Sequence, residues 1–422
     1  MVITFVVDMF GSTNNGTTVT CMRTAKVLRE LGNEVRIIAH VPEIHDDLTG
    51  FKVLNCKMFK FPIFQPLIEK NGMTFATGDE KQIAEFIQGS DIVHLFTPFS
   101  LEIKVRRVAN VLNIPVTSAF HVQPENVSYN INMGKIKAVN SLVFKIFNSM
   151  MYKHTKFVHT PSKMMRDMMM LHGYKNNIFP ISNGVSEYFR PLSVPKPEDL
   201  QDKYVILMIG RLSREKRQDL IFKAIGHSQY NSQIQLILCG KGPMRKKYEK
   251  YSKKYLKNPC RFEFISQKEL LDVINYSDLY IHSSDAESEA IACIEAFSCG
   301  KVPIISDSKV SATNSFALDS KCLFKNGDYQ SLQNRIEYFI EHPEVKKELS
   351  PKYIEFSRQF SLKACVRQLE QMFILSISDY NREQEEHTVF FTSHHERRML
   401  KKTAKKIGVS YQPPVLIEEK AI

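Results

Sequence analysis

The stretch from Leu279 to Ile305 leaves few folds open to this chain. An apolar run, Leu279-Tyr280-Ile281, leads into the polar turn Ser284-Asp285-Ala286-Glu287-Ser288-Glu289. An apolar helix-like run follows to Cys299, Gly300 closes it, and Pro303-Ile304-Ile305 begins another strand. Strand, turn, helix and strand make one βαβ unit, so the strands are parallel and the turn lies at the carboxyl edge of a sheet. The same alternation recurs from the first residues: a strand ending at Asp8, a helix-like run carrying Val19, Met22, Val27, Leu28 and Leu31, and a strand from Glu34. Asp91 to Phe96, Leu101 to Leu112 and Ile114 to Phe120 continue it. A Pro-rich polar run up to Asp202 reads as a linker, after which the strand Tyr204 to Ile209 starts a second series. At 422 residues the chain can bury two cores. The pattern predicts an α/β protein of two Rossmann-like, doubly wound domains.

Composition narrows the class. Hydrophobic content of 43% and charged content of 24% suit a globular domain. No apolar run reaches the length of about 18 residues that a membrane span needs. The N-terminus reads as a strand and not as a signal peptide. Eight scattered cysteines without a Cys-x-x-Cys pair or Cys/His cluster predict reduced thiols, a cytoplasmic protein and no metal site. The net charge of +12 favours anionic partners. No nucleic-acid-binding motif is present, so nucleic acid is not expected. Between Glu125 and Asp167 there is no acidic residue, while Ile136, Val139, Leu142, Val143, Ile146, Phe147, Met150 and Met151 recur at helical spacing among lysines. Such a basic amphipathic helix can pack its apolar face on a sheet, or lie on an anionic bilayer as a peripheral contact at the inner face of the cell membrane.

Several loops carry candidate chemistry. Glu287 lies in the polar turn and Glu295 on the helix eight residues later, roughly 12 Å along the axis. That is too far for an acid and base on one bond, but it suits two hydroxyl-rich parts of one long ligand, with the N–H groups of Ala290 and Ile291 free for an anion. Gly210-Arg211-Leu212-Ser213-Arg214-Glu215-Lys216, after the strand that opens the second series, can grip a diphosphate through a guanidinium fork and a point charge. Gly240-Lys241-Gly242-Pro243 follows the next strand. The loop from Gly11 to Thr18, with Gly16, lets backbone approach a phosphate, and His121 stands at a strand end where ligands are contacted.

Together these motifs resemble glycosyltransferase family 4, a retaining family with the GT-B fold, over roughly residues 1 to 380. The resemblance implies that Glu287 orients the transferred sugar, Glu295 the ribose, and Arg211 and Lys216 the leaving nucleoside diphosphate. It places His121 beside the sugar, Gly16, Gly210, Gly240 and Gly242 near the donor, and Ala290 and Ile291 against the diphosphate. It departs from the family's pattern in several places: only Gly16 fits the paired glycines of the first loop, Ser266 stands where glycine is common, Arg217 stands where a glycine usually follows the lysine, and Glu289-Ala290 replace Phe-Gly, leaving Glu289 directed to solvent or to the sugar pocket. The domains expected are 1–185 on the acceptor side, 186–358 for the nucleotide sugar, a crossover helix at 359–380, and a basic tail at 381–422, which is disordered, a solvated helix or, as the sharper alternative, a membrane-surface anchor. The family implies transfer of a hexose, such as glucose from UDP-glucose, without a required cofactor or divalent metal. The basic face suggests a membrane-lipid acceptor, and bacterial diacylglycerol glucosyltransferases are similar in layout. A polysaccharide or lipid-linked glycan acceptor, or a catalytically silent nucleotide-sugar-binding scaffold, are the alternatives.

Overall fold

A computed structural model describes residues 1–11, 16–41, 50–59, 74–130, 133–134, 136–385 and 394–411. The chain forms two compact units, each an α/β domain. One comprises Met1–Pro124, Ile136–Asn183 and Cys365–Ile422; the other comprises Glu125–Lys135 and Gly184–Ala364. The expected boundary at residue 185 thus misses Glu125–Lys135, which cluster with the second unit.

In the first unit the strands are β1 (Val2–Met9), β2 (Glu34–His40), β3 (Lys52–Asn55), β6 (Ile92–Leu95), β7 (Val116–Ala119), β8 (Phe157–Thr160) and β9 (Asn177–Pro180). They form one parallel sheet in the order β3-β2-β1-β6-β7-β8-β9. A separate antiparallel hairpin is made by β4 (Lys57–Phe59) and β5 (Phe75–Thr77). The second unit has β10 (Tyr204–Ile209), β11 (Ile234–Cys239), β12 (Arg261–Glu263), β13 (Leu279–His282), β14 (Pro303–Ser306) and β15 (Leu323–Phe324), all parallel, in the order β12-β11-β10-β13-β14-β15. Helices cover both faces, so the central strands are apolar on both sides: β6, β11 and β14 are buried along their whole length. All eight cysteines are buried free thiols.

The helix Leu362–Glu385 begins in the second unit and continues into the first. There Phe373 packs against Phe5 and His94, Glu370 accepts from Asn33 Nδ2 at 2.6 Å, and Glu383 pairs with Lys156 at 2.6 Å. The expectation for the basic tail is corrected: His394–Ile407 is a helix with a buried face on the helix Ser100–Val111. Leu400 and Ala404 meet Val111, and Glu396 reaches Arg106 at 2.7 Å and Arg107 at 3.1 Å. Charged residues dominate the sequence of this helix, but its inner stripe is Glu396, Leu400, Thr403 and Ala404.

Where β1 ends, Asp8 accepts from the Ala76 N–H at 2.9 Å and from Thr97 Oγ1 at 3.0 Å, while the same hydroxyl lies 2.5 Å from Glu102 Oε1. A hydroxyl has one hydrogen, so it can donate to one carboxylate only; the other carboxyl must bring a proton. Burial holds Glu102 above the usual carboxylate range and pushes Asp8 up to about 7. Between about pH 4 and 7 the folded chain therefore keeps a proton that the unfolded chain has lost, and stability falls as pH rises, by up to about 1.4 kcal/mol per pH unit. Asp8→Asn is expected to flatten that slope, read as the urea midpoint at a series of pH values across this window.

Candidate functional site

The order of the second sheet creates a switch point between β10 and β13, where the chain leaves in opposite directions and the loops part at the carboxyl edge. Those loops are 210–217 and 283–290, the two that carry Arg211, Lys216 and Glu287. Lys216 Nζ donates to Glu287 Oε1. The same oxygen accepts from Ser284 Oγ at 2.9 Å and lies 2.8 Å from His282 Nε2. Backbone contacts fix the loops to each other: Ser283 Oγ donates to the Lys216 carbonyl at 2.8 Å and the Asp285 N–H to that of Glu215 at 2.7 Å. From the far side, the Ala312 N–H donates to the Glu287 carbonyl at 2.9 Å.

Charge in this cluster is settled by pairing. Burial alone would disfavour the Glu287 carboxylate, but Lys216 and His282 outweigh it and hold the group well below the usual carboxylate range. Burial likewise opposes the Lys216 ammonium, and Glu287 outweighs it. Burial keeps His282 below its ordinary value. The site holds an ammonium, a carboxylate and a neutral imidazole at neutral pH. Arg211 is half-buried, its guanidinium disfavoured by burial and favoured by Glu215, and its carbonyl accepts from Gln218 Nε2 at 2.9 Å.

The Gly-x-Gly turn has a structural cause close at hand. A Cβ at Gly240 would lie 2.1 Å from the Gly210 carbonyl oxygen, and one at Gly242 would lie 2.3 Å from that of Leu212. The two strand-end loops run in direct backbone contact, with the Leu212 N–H donating to Lys241 and the Met244 N–H to Leu212, both at 2.9 Å. Gly210 itself has φ 153°.

Two of the positions where the family has a glycine, Arg217 and Ala290, have left-handed backbone, at φ 52°, ψ 35° and φ 69°, ψ 68°. A side chain there costs about 1–2 kcal/mol, which is why glycine is usual. Arg217 recovers part of this through its side chain, which binds both Asp285 oxygens at 3.0 and 3.1 Å and Asp219 at 3.1 Å. Tyr129, on the helix Pro124–Asn130, donates to Asp285 at 2.9 Å. Ala290 is the N-cap of the helix Ile291–Ser298 and offers no side-chain cap, so among the described residues the first N–H groups have no capping side chain. Glu295 is buried on this helix, and Glu289 is buried too, at 3% exposure, which removes the solvent alternative.

His121 and Gly16 belong to the first unit, apart from the cluster in the second. Gly16 begins the helix Gly16–Glu30; residues 12–15 of its loop lie outside the described residues. His121 stacks on Phe96 at 5.7 Å and meets His159 edge-on at 5.2 Å. Its buried Nε2 has no partner among the described residues, and burial with the neighbouring His159 keeps the ring neutral. The sequence reading missed His282, Ser284, Asp285 and Tyr129. His282 was open to the argument made for His121, since both stand at the carboxyl end of a parallel strand.

Known proteins match this arrangement. The model of the glycosyl transferases group 1 fits residues 191–359, and that of glycosyltransferase family 4 fits residues 14–187. The sulfoquinovosyl transferase SQD2 of Arabidopsis thaliana is 21% identical over 365 residues, covering 82% of this chain and 67% of that protein. The alpha-monoglucosyldiacylglycerol synthase of Streptococcus pneumoniae is 21% identical over 283 residues, 64% of each chain. The chain thus spans about two thirds of the length of these relatives. In three dimensions, Anabaena HepE, crystallised with UDP-glucose, superimposes with a TM-score of 0.68 over 88% of this chain and 98% of that one, at 16% identity. That likeness establishes the GT-B architecture. With one family model on each half and the motifs at the switch point, the chain belongs to the group 1 glycosyltransferases of family 4.

Proposed function

We propose that this protein is a retaining hexosyltransferase that takes a hexose from a UDP-sugar, UDP-glucose first among them, and places it on a membrane lipid such as diacylglycerol. The observation that carries the donor side is the Lys216–Glu287 pair at the switch point. In this reading Arg211 and Lys216 meet the charge that builds on the departing diphosphate, with no divalent metal required. Glu287 orients the hexose, Glu295 the ribose, and the N–H groups after Ala290 the diphosphate. Attack comes from the face the diphosphate leaves, and a phosphate oxygen takes the acceptor proton.

Two observations favour a lipid acceptor. Of the relatives described above, one is named as a sulfoquinovosyl transferase and the other as a monoglucosyldiacylglycerol synthase. On the helix Lys137–Met150, Phe144 and Phe147 are buried, but Leu142, Ile146 and Met150 are exposed, at 57%, 43% and 44%. The sheet therefore accounts for only part of the apolar face; the rest, flanked by Lys145, suits an anionic bilayer as a peripheral contact. Among the described residues no helix is long and apolar enough to cross a membrane.

The test is incubation with a panel of UDP-sugars and anionic vesicles containing diacylglycerol, with products read by mass spectrometry. A hexosyl-diacylglycerol with an α-linkage is the expected result. UDP release without a lipid product would move the acceptor to a glycan, and no UDP-sugar binding would overturn the enzyme reading.

A further inference from the structure

The imidazole of His282 is buried at the end of β13, between the polar turn and the strand's own core. Its Nε2 lies 2.8 Å from Glu287 Oε1 and 3.0 Å from Ser284 Oγ, and its Nδ1 lies 3.2 Å from the Tyr280 hydroxyl. Tyr280 is fully buried, and the Cys293 thiol stands 3.9 Å from its oxygen.

Proton counting orders this chain. A carboxylate only accepts, so the hydrogen sits on His282 Nε2. A neutral ring then has a bare Nδ1, which accepts from Tyr280, and the Tyr280 oxygen is left to accept from Cys293. Glu287 Oε1 accordingly takes three donors: the Lys216 ammonium, the His282 N–H and the Ser284 hydroxyl. Among the described residues none bonds Oε2. The carboxylate is anchored through one oxygen and presents the other.

We propose that His282 is a positioning residue for the donor sugar: with Lys216 and Ser284 it fills Glu287 Oε1, so that Oε2 alone faces a hydroxyl of the hexose. This rests on the donor reading given above. A carboxylate with three donors on one oxygen cannot rotate freely, and the sugar meets a fixed acceptor without first ordering it. Lysine alone would not do this, because an ammonium on a flexible stem is a point charge that follows the carboxylate. The imidazole, held on its other nitrogen by Tyr280, sets the direction.

Two variants and one spectrum test it. His282→Leu removes the donor, whereas His282→Gln keeps an N–H that can reach Glu287. In the full-length protein, His282→Leu is expected to lower UDP-glucose affinity and turnover by about 10- to 100-fold, the value of a hydrogen bond to a charged group. Affinity for UDP, which lacks the sugar, is expected to stay within about twofold, and His282→Gln to recover most of the loss. Equal weakening of UDP and UDP-glucose, or no rescue by glutamine, would overturn the proposal in favour of a merely structural role. Nitrogen-15 imidazole spectra of the unliganded wild type give a readout independent of any donor. They are expected to show hydrogen on Nε2 and a bare Nδ1 at neutral pH. Hydrogen on Nδ1, or on both nitrogens at neutral pH, would overturn the proposal. If the wild type bound neither UDP-glucose nor UDP, the donor reading would fall while the spectrum still decided the anchoring of Glu287.

Discussion

Lys216→Ala is expected to lower kcat for sugar transfer by about 10²- to 10³-fold, the usual effect of removing one preorganised group aimed at developing charge. Two losses combine. The ammonium that meets the leaving diphosphate is gone, and Glu287, 9% exposed at its side chain, loses the charge that keeps it ionised. His282 and Ser284 still hold the carboxylate, so the fold persists and the deficit lies in turnover; a steady-state assay with a thermal melt separates the two. The sign of the pH effect follows from the same pair. A carboxyl held below its unfolded value stabilises the folded state above the usual carboxylate range, and the contribution is lost only as pH falls through the depressed value. Wild-type activity is therefore expected to survive mild acid on the Glu287 account, and the variant to lose that tolerance.

Glu396→Ala is expected to destabilise the first unit by about 3–5 kcal/mol, seen as a fall in melting temperature on the order of 10 °C. Arg106 is fully buried and Glu396 nearly so, with a 2.7 Å contact between them. Burial disfavours the Arg106 guanidinium and Glu396 offsets this; Arg106 and Arg107 together hold Glu396 down at about 2. Removing the carboxylate leaves a cation in the core with nothing to balance it. Replacing both partners, Arg106→Met with Glu396→Leu, is expected to restore most of the loss, since a well-packed apolar pair carries no desolvation penalty. If the single substitution were harmless, the helix His394–Ile407 would not be docked as described.

What was legible in the sequence was local. Continuous apolar strands such as Val205 to Ile209 separated by amphipathic helices specify parallel sheets covered on both faces, and the loops at their carboxyl ends were the right place to look for chemistry. Lys216 and Glu287 could be selected because each sits just beyond a strand. Their direct contact could not be read, because it depends on β10 and β13 being neighbours, which is a matter of strand order. The need for Gly240 and Gly242 was legible, but the reason differed: a neighbouring carbonyl oxygen occupies the space of each Cβ. The departures at Arg217 and Ala290 were visible as residues, and only backbone angles show that both keep the conformation glycine would have supplied. The burial of Glu396 was hidden most deeply, since its partner lies 290 residues earlier and the intervening composition gives no hint of it.

The first unit is built from both ends of the chain, and this has a consequence for the order of assembly during synthesis. A ribosome releases Met1–Asn183 long before the residues from Cys365 onward, and the second unit is translated in between. During that interval the first sheet lacks the helix that brings Phe373 to Phe5 and His94, and Arg106 has no counter-charge. The interrupted unit starts first and finishes last, while most of the inserted one, Gly184–Ala364, emerges as a single run and can complete its core as it appears. Until the residues from Cys365 onward are made, the nascent N-terminal half lacks these contacts, and chaperone contact and proteolysis are expected to fall on that half.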